Sequence, residues 1–235
     1  MVLDRASASF KIFDRIAKRY DFLNGFLSLG IDRVWRRILI SKVKPGKTLL
    51  DVATGTGDLV LALAKRFPKT HMVGLDLSKE MLKRAEQKKK INMDLVFCHG
   101  DAQNLPFSDA SFDTVTIAFG IRNVPNARLG LKEMLRVLKP GGQLLILEFS
   151  LPNSRLLRRL YLFYFRHILP RIGAFFSGDS EAYRYLNETV EQFPYGHAFR
   201  NMMTEAGCIY THFTPLTVGI CTLYEGFKAE PDQVS

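Results

Sequence analysis

Acidic side chains and glycines stand in the sequence where they could bind a nucleoside. Asp51 precedes a turn that contains Gly55, Thr56 and Gly57, within residues 48–58 (T-L-L-D-V-A-T-G-T-G-D). Glycine lets the backbone approach a ligand without a Cβ in the way. The start of the helix that follows offers amide groups to a negative group. A strand, a glycine turn and a helix in this order open a nucleotide-binding α/β domain.

The spacing of the turn argues against a dinucleotide cofactor. A dinucleotide site reads G-x-G-x-x-G, and its third glycine lets the helix pack closely beside a pyrophosphate. Here that position is Val60. Asp51 before the turn and Asp76 at the end of the next predicted strand suit a cofactor that has an amino group and a ribose diol. S-adenosylmethionine has both and carries no phosphate, so it is the predicted ligand.

Two further strand ends are expected to contact the ribose and the adenine. The Asp76 carboxylate has two acceptor oxygens for the ribose hydroxyls. It could instead cap the next helix, but Ser78 is the better cap and leaves Asp76 available. Asp101, in G-D-A-Q-N-L-P-F, would accept from the adenine amino group, and the Ala102 amide would donate to a ring nitrogen. A plain turn aspartate is the alternative. Leu77 is assigned to the same cofactor site.

A fourth predicted strand, residues 112–118, ends in F-G-I-R-N-V-P, where Arg122 and Asn123 lie. Ligands of open α/β sheets bind outside the carboxyl ends of the strands. Arginine is a fixed charge whose donors form a rigid fork, which suits a substrate oxyanion. The alternative is a structural pair that ties this loop to the N-terminal lid.

Strands and helices alternate along the chain, which predicts one α/β domain over residues 1–235. A fifth strand follows K-P-G-G, which is expected to end a helix, and two strands near residues 208–228 form an antiparallel pair. Apolar spacing predicts a helix over residues 7–24, within a helical N-terminal lid of residues 1–45. The aromatic stretch at 20–35 is either packing or a flap over an apolar substrate that uses Tyr20.

Composition narrows the function classes. The 235 residues carry a net charge of +10, which fits a solvated surface first, an anionic membrane surface second and nucleic acid third. Three separated cysteines and five histidines show no metal-ligand spacing, so no metal is predicted. No secretory signal or transmembrane segment is evident, which predicts a cytoplasmic protein. Peripheral contact at the inner face of the membrane, and a homo-oligomer, remain open.

The motifs, in their order, resemble those of class I S-adenosylmethionine-dependent methyltransferases: D-V-A-T-G-T-G-D, G-D-A-x-x-L-P-F and R-V-L-K-P-G-G. Two stretches are more specific. Residues 20–35 (Y-D-F-L-N-x-x-L-S-x-G-I-D-R-x-W) and 136–150 resemble signatures of the ubiquinone/menaquinone biosynthesis C-methyltransferases. F-G-I-R-N-V at 119–124 also fits that family, and the resemblance runs from about residue 10 to 228.

The resemblance implies a Rossmann-like fold: a mainly parallel seven-stranded sheet, helices on both faces and an antiparallel last strand. Thr56, Asp76, Asp101 and Ala102 match the family's cofactor contacts. The family usually has serine where this chain has Ala118, so that contact is not carried over. The implied reaction is C-methylation of a polyprenyl quinol. Demethylmenaquinol is the first expected acceptor, and 2-methoxy-6-polyprenyl-benzoquinol is the alternative.

In that reaction Arg122 is expected to stabilise the quinolate, while Asn123 and Tyr20 orient the ring. His197 and Tyr183 are candidates for receiving the proton. A helical insertion at 151–196 interleaves arginine with leucine and aromatic residues, which predicts either a packing helix or a substrate channel whose basic rim faces lipid phosphates. An RNA or protein methyltransferase and a non-catalytic scaffold remain as other classes.

Overall fold

A computed structural model describes residues 30–44, 46–168 and 180–231 of the chain. Its centre is one sheet of seven strands. Most of these strands are apolar over nearly their whole length, as expected for strands covered on both faces. They are β1 (Thr48–Val52), β2 (His71–Asp76), β3 (Leu95–His99), β4 (Phe112–Ala118), β5 (Leu138–Phe149), β6 (Cys208–Leu216) and β7 (Cys221–Lys228).

The strand order across the sheet is β3-β2-β1-β4-β5-β7-β6. Strands β1 to β5 pair in parallel, whereas β7 runs antiparallel to both β5 and β6. The predicted fold class, with its antiparallel last strand, is therefore confirmed. The chain reverses its direction of travel across the sheet between β1 and β4, and this is where open α/β sheets bind ligands.

Seven helices connect or flank the strands of the described part. They are α1 (Ile31–Lys42), α2 (Asp58–Arg66), α3 (Lys79–Lys88), α4 (Ala127–Val137), α5 (Arg155–Phe163), α6 (Ser180–Gln192) and α7 (His197–Glu205). Ser78 caps α3 as predicted, because its hydroxyl accepts a hydrogen bond from the Met81 amide at 3.2 Å. None of the described helices has the length and apolar content that crossing a bilayer requires.

The core divides into two layers because successive side chains of a strand point to opposite faces of the sheet. On one face Leu50 and Ile146 pack with Met134 of α4 and Phe199 of α7. On the other face, the alternate strand residues pack with helices α1 and α2, which contribute residues such as Leu39 and Leu63. Helices thus cover both faces of the sheet, which leaves the ends of the strands accessible to a ligand.

The K-P-G-G stretch differs from its prediction. We expected Gly141 and Gly142 to end α4, but the helix ends at Val137 and β5 already begins at Leu138. The pairing of β4 with β5 is irregular here, so the glycines accommodate an interruption of the ladder within a strand. A Cβ on Gly142 would lie 2.7 Å from the Lys139 carbonyl oxygen, which explains the need for glycine.

The N-terminal lid is described only in part. Residues 1–29, including the helix predicted over 7–24 and Tyr20, lie outside the described residues. Helix α1 begins at Ile31, within the stretch predicted as the N-terminal lid. Trp35 is buried, and its indole N–H donates to the Thr217 hydroxyl at 2.7 Å, which ties α1 to the end of the sheet that carries β7.

Candidate functional site

A cleft opens at the carboxyl ends of β1, β2, β3 and β4. It encloses about 760 Å³ including its open mouth. Its walls come from the residues that follow each strand, as expected at a switch in strand order. The lining residues are Ala53, Gly55, Leu75, Asp76, Leu77, Ser78, Met81, Gly100, Asp101, Ala102, Ala118, Phe119, Gly120, Asn123, Val124 and Pro125.

Asp76 is held rigidly at the end of β2. Its Oδ2 accepts from the Gly55 amide at 2.7 Å, and its Oδ1 accepts from the Ser78 amide at 2.8 Å. A carboxylate offers about four lone-pair sites, so these two amides use only part of its acceptor capacity. The same contacts fix the glycine turn relative to β2. The predicted ribose position of Asp76, with Leu77 beside it, therefore fits the geometry of the cleft.

Asp101 lies beyond β3 in a tight turn. Its Oδ1 accepts from the Gln103 amide at 2.8 Å, and the Asp101 carbonyl oxygen accepts from the Asn104 amide at 3.1 Å. Ala102 is almost fully buried and packs into the core beneath the turn. The sequence left a plain turn role open for Asp101. Its place in the cleft wall is compatible with both roles, because the turn uses only part of the carboxylate's acceptor capacity.

The chemistry of the lining suits a cationic nucleoside. The ionisable side chains in the wall are the carboxylates Asp76 and Asp101, and no lysine or arginine appears among the described lining residues. A pyrophosphate would be repelled there, whereas a sulfonium would be attracted. Ala118 is one of the apolar residues of the wall, and these residues offer contact area for an adenine ring. The residues present thus fit S-adenosylmethionine.

Two non-glycine residues of the wall adopt the left-handed backbone conformation. These are Ala53 after β1, with φ of 51°, and Phe119 after β4, with φ of 58°. Such residues cost about 1–3 kcal/mol each and cluster at binding sites. Gly120 follows Phe119, and a Cβ there would lie 2.6 Å from the Ala53 Cβ, so the two loops are in close contact. The strain is thus concentrated where two strand ends meet the cleft.

The residues predicted to bind the cofactor from the glycine turn do not all line the cleft. Gly55 lines the cleft, but Thr56, Gly57 and Asp51 do not. Thr56 is buried, and the Gly57 amide donates to the Thr54 carbonyl oxygen at 3.0 Å. Gly57 has a φ of 83° immediately before α2, which explains the glycine there. Direct cofactor contacts by Asp51, Thr56 and Gly57 remain predictions.

Asp51 is a buried carboxylate beneath the turn. Its Oδ2 accepts from the Thr54 hydroxyl and its Oδ1 from the Thr116 hydroxyl, each at 2.6 Å. Burial raises its pKa to about 6, although both hydroxyls, and more weakly the Arg36 guanidinium, act in the opposite direction. Asp51 therefore connects the turn to β4 from inside the core. These two contacts fix the shape of the turn.

We expect Asp51 to make stability fall as pH rises between about 4 and 7. The native state holds the proton more tightly than the unfolded chain, so ionisation destabilises the fold by about 3 kcal/mol in total. Asp51→Asn should remove this slope, which urea denaturation at several pH values would measure. Asp113→Asn is the matched control, since Lys139 and Thr48 hold the pKa of Asp113 below its usual value. The pH dependence that Asp113→Asn removes should have the opposite sign, because the Asp113 carboxylate contributes stability that is lost on acidification.

Arg122 lies in a short 3-10 turn, Ile121–Asn123, does not line the cofactor cleft and forms a buried ion pair. Its guanidinium Nη1 contacts the Glu148 Oε1 at 2.7 Å and donates to the Phe119 carbonyl oxygen. The side chains of Arg122 and Glu148 are only 5% and 1% exposed. The guanidinium also stacks over Phe149 at 5.2 Å. Its Nε–H is buried and has no acceptor among the described residues.

Asn123 does line the cleft, one residue further on. Its Oδ1 accepts from the Tyr185 hydroxyl at 3.3 Å, which links the cleft wall to α6. Arg122 and Asn123 therefore lie on adjacent sides of one turn. Tyr20, the third predicted catalytic residue, lies outside the described residues, as does the side chain of Tyr183. His197 begins α7, packs edge-on against Phe213, and is not part of the cleft wall.

Glu148, Thr54 and Thr116 were missed by the sequence analysis. A carboxylate inside the apolar run L-L-I-L-E-F of β5 was a readable signal, because buried charges require a partner. The partner itself was not readable, since Arg122 is 26 residues away. Among the described residues, no group of three His, Cys, Asp or Glu side chains gathers as a metal site would require.

Comparison with known proteins shows the family of this chain. The model of the ubiE/COQ5 methyltransferase family matches residues 3–228. A ubiquinone/menaquinone biosynthesis C-methyltransferase of Geotalea daltonii is 49% identical over 228 residues, covering 93% of this chain and 95% of that protein. A demethylmenaquinone methyltransferase of Deinococcus radiodurans is 45% identical, covering 96% of this chain and 94% of the relative.

Solved structures agree at the level of the fold. An S-adenosylmethionine-dependent methyltransferase of Thermotoga maritima superposes with a TM-score of 0.68 at 20% identity, covering 93% of this chain and 99% of the other. Phosphoethanolamine N-methyltransferase 2 of Haemonchus contortus, solved with S-adenosylmethionine, gives a TM-score of 0.62 at 16% identity over 83% of this chain and 52% of that one.

Proposed function

Because this chain belongs to the ubiE/COQ5 methyltransferase family, we propose that it methylates a ring carbon of a polyprenyl quinol, with demethylmenaquinol as the first acceptor. The enzyme is an S-adenosylmethionine-dependent C-methyltransferase. The observation that carries the proposal is the family match across nearly the whole chain, together with close relatives whose names refer to quinone biosynthesis. A 2-methoxy-6-polyprenyl-benzoquinol, the acceptor of the ubiquinone branch, is the alternative, because the names of several relatives include both ubiquinone and menaquinone.

On the donor side, Asp76 accepts from the ribose hydroxyls, and Asp101 with Ala102 binds the adenine. S-adenosylmethionine supplies a methyl group on a sulfonium, which is a good leaving group. In the overall reaction the methyl–sulfur bond breaks, a bond to the ring carbon forms, and the ring carbon loses its proton. What the chain must provide is alignment of the two reactants and exclusion of water, which together can lower a barrier by several kcal/mol.

On the acceptor side, the protein must favour the ionised quinol. A phenolic hydroxyl has a pKa of about 10, so only about one molecule in a thousand is ionised at neutral pH. We place Arg122 beside this oxygen. Glu148 fixes the guanidinium through Nη1 and compensates its charge, so the donors assigned to the quinolate are the other guanidinium N–H groups, Nε–H among them. Asn123 orients the ring from the cleft wall, and Tyr20 is assigned the same task.

We expect the double variant Arg122→Met/Glu148→Gln to separate methyl transfer from cofactor binding. It removes the guanidinium without leaving a buried unpaired carboxylate. Turnover should fall by about 100-fold or more, as for loss of one donor to a developing oxyanion. The affinity for S-adenosylmethionine, measured by calorimetry, should stay near the wild-type value because neither residue lines the cofactor cleft. Full turnover in this variant would remove Arg122 from the mechanism.

The proposed reaction is tested most directly by mass spectrometry of quinones from cells with and without this protein. Loss of the protein should cause a quinone lighter by one methyl group to accumulate. Purified protein should then methylate that species when S-adenosylmethionine is added. Demethylmenaquinol and the benzoquinol are offered in parallel, and the preferred acceptor decides between the two branches. Turnover of RNA or protein, with none on either quinol, would contradict the proposal.

A polyprenyl tail partitions into the bilayer, so we also propose that the enzyme meets its acceptor at the membrane surface. The net charge of +10 supports this, because anionic lipid headgroups attract basic proteins.

A further inference from the structure

Helix α5 and the π-helical turn after it, Tyr164–Ile168, carry an unusual outer surface. Leu156, Leu160 and Phe163 are 68%, 59% and 59% exposed, and their spacing places them on one side of the helix. Together with Leu157 and Ile168 they make five of the twelve large apolar side chains that are exposed in the described part of the chain. Such a cluster within thirteen residues marks an interaction surface.

A basic groove runs along the same helix. Its lining residues are Arg155, Arg158, Arg159, Leu162, Phe163, Arg166 and His167. Arg166 pairs with Glu191, and Arg158 donates to the Pro152 carbonyl oxygen at 2.9 Å. Arg155 and Arg159 have no ion-pair partner among the described residues, and residues 155–168 contain no acidic residue. The groove therefore offers cationic donors beside an apolar stripe.

The opposite side of this segment is anchored in the protein. Phe165 is buried with Val190 and Leu151, and its carbonyl oxygen accepts from the Asn187 side chain at 2.6 Å. Phe149, which stacks under Arg122, packs against the same cluster. The exposed stripe is thus the outer face of a segment whose inner face adjoins the proposed acceptor side of the enzyme.

We propose that this face of α5 is the surface by which the enzyme docks on an anionic lipid bilayer, with the leucines and Phe163 in the acyl boundary and the arginines on lipid phosphates. The inference rests on the proposed quinol substrate and names the surface that meets it. A helix that carries apolar residues beside arginines, and no acidic residue, matches the charge and polarity of such an interface.

Other occupants fit the charge pattern less well. A second copy would bring two sets of arginines together in a symmetric contact. Residues 1–29 carry five basic and three acidic residues, so that segment also lacks charge complementarity to the groove. Aliphatic leucines give RNA bases no stacking platform.

The test is sedimentation of the full-length protein with vesicles of phosphatidylcholine alone or with phosphatidylglycerol added. We expect binding to the anionic vesicles to weaken about 100-fold in Leu156→Gln/Leu160→Gln and about 30-fold in Arg155→Gln/Arg159→Gln. Leu129→Gln and Lys83→Gln/Lys90→Gln, which change exposed residues elsewhere on the protein, are the matched controls. Equal binding by all variants would overturn the proposal.

Activity distinguishes this inference from the proposed function. The α5 variants should methylate a short-tailed, water-soluble quinol at the wild-type rate and lose activity only on long-tailed quinol in vesicles. If the wild type methylates the soluble quinol but ignores both kinds of vesicle, the docking surface is wrong and the enzymatic function stands. If the wild type fails on the soluble quinol as well, the proposed function itself is wrong. Variants that alter only the size of the protein in solution would identify a second copy as the occupant.

Discussion

Replacing Asp76 by alanine is expected to weaken S-adenosylmethionine binding by about 100-fold or more, because two hydrogen bonds to a charged acceptor are lost. The loss should exceed that of any other single change in the cleft, since the carboxylate also accepts from the Gly55 and Ser78 amides and so positions the turn. Calorimetry with S-adenosylmethionine measures the dissociation constant directly, without need of the acceptor.

Asp94→Ala provides the comparison for Asp76. Asp94 immediately precedes β3, at the amino ends of the strands and thus opposite to the cleft. It contacts His71 at 2.7 Å in an exposed pair. Its removal changes the net charge by the same amount but should leave the affinity unchanged. Circular dichroism must show that both variants are folded. Equal affinities of Asp76→Ala and the wild type would remove the ribose role and, with it, the orientation of the nucleoside in the cleft.

The second large effect concerns stability. Glu148→Gln should lower the free energy of unfolding by about 3–5 kcal/mol, because it leaves the Arg122 charge buried without a carboxylate. The double variant Arg122→Met/Glu148→Gln should recover most of this loss, since no buried charge is then left uncompensated. Urea denaturation of the wild type, both single variants and the double variant gives the coupling energy of the pair.

An exposed pair calibrates this result. Arg128 and Glu205 form an ion pair between α4 and α7 in which both side chains are 57% exposed. Breaking it with Glu205→Gln should change stability by less than about 1 kcal/mol, because water screens exposed charges. If Glu148→Gln proved as mild as Glu205→Gln, the Arg122 charge would have another compensating group, and its proposed place beside the quinolate would need revision.

Local patterns predicted the parts of this fold that depend on neighbouring residues. The end of β2 at Asp76, the bounds of β4 and the Ser78 cap follow from apolar runs and short-range hydrogen bonding, and the structure confirms them. The predicted end of α4 was wrong. The irregular pairing of β4 with β5 decides where β5 begins, and this pairing joins residues that are distant in the sequence. The cleft carboxylates Asp76 and Asp101 were predictable because parallel strands present their carboxyl ends at one edge.

What local patterns could not provide is the set of partners brought together by the fold. Asp51 was predicted as a cofactor contact from its position before the turn. Thr54 is only three residues from Asp51, but Thr116 reaches it through the pairing of β1 with β4, which no local motif encodes. For the same reason Arg122 was recognised as a candidate for charge stabilisation, while its buried partner Glu148 was not.

The left-handed backbone of Ala53 and Phe119 also bears on the order in which the substrates bind. Backbone hydrogen bonds hold both loops: the Thr54 amide donates to Leu75 at 2.9 Å, and the Phe119 amide donates to Leu147 at 2.7 Å. Loops that the folded core keeps in a costly conformation need no ligand to organise them. The described walls of the nucleoside pocket therefore need no quinol to form, and we expect a kinetic sequence in which the methyl donor adds first and its demethylated product leaves last.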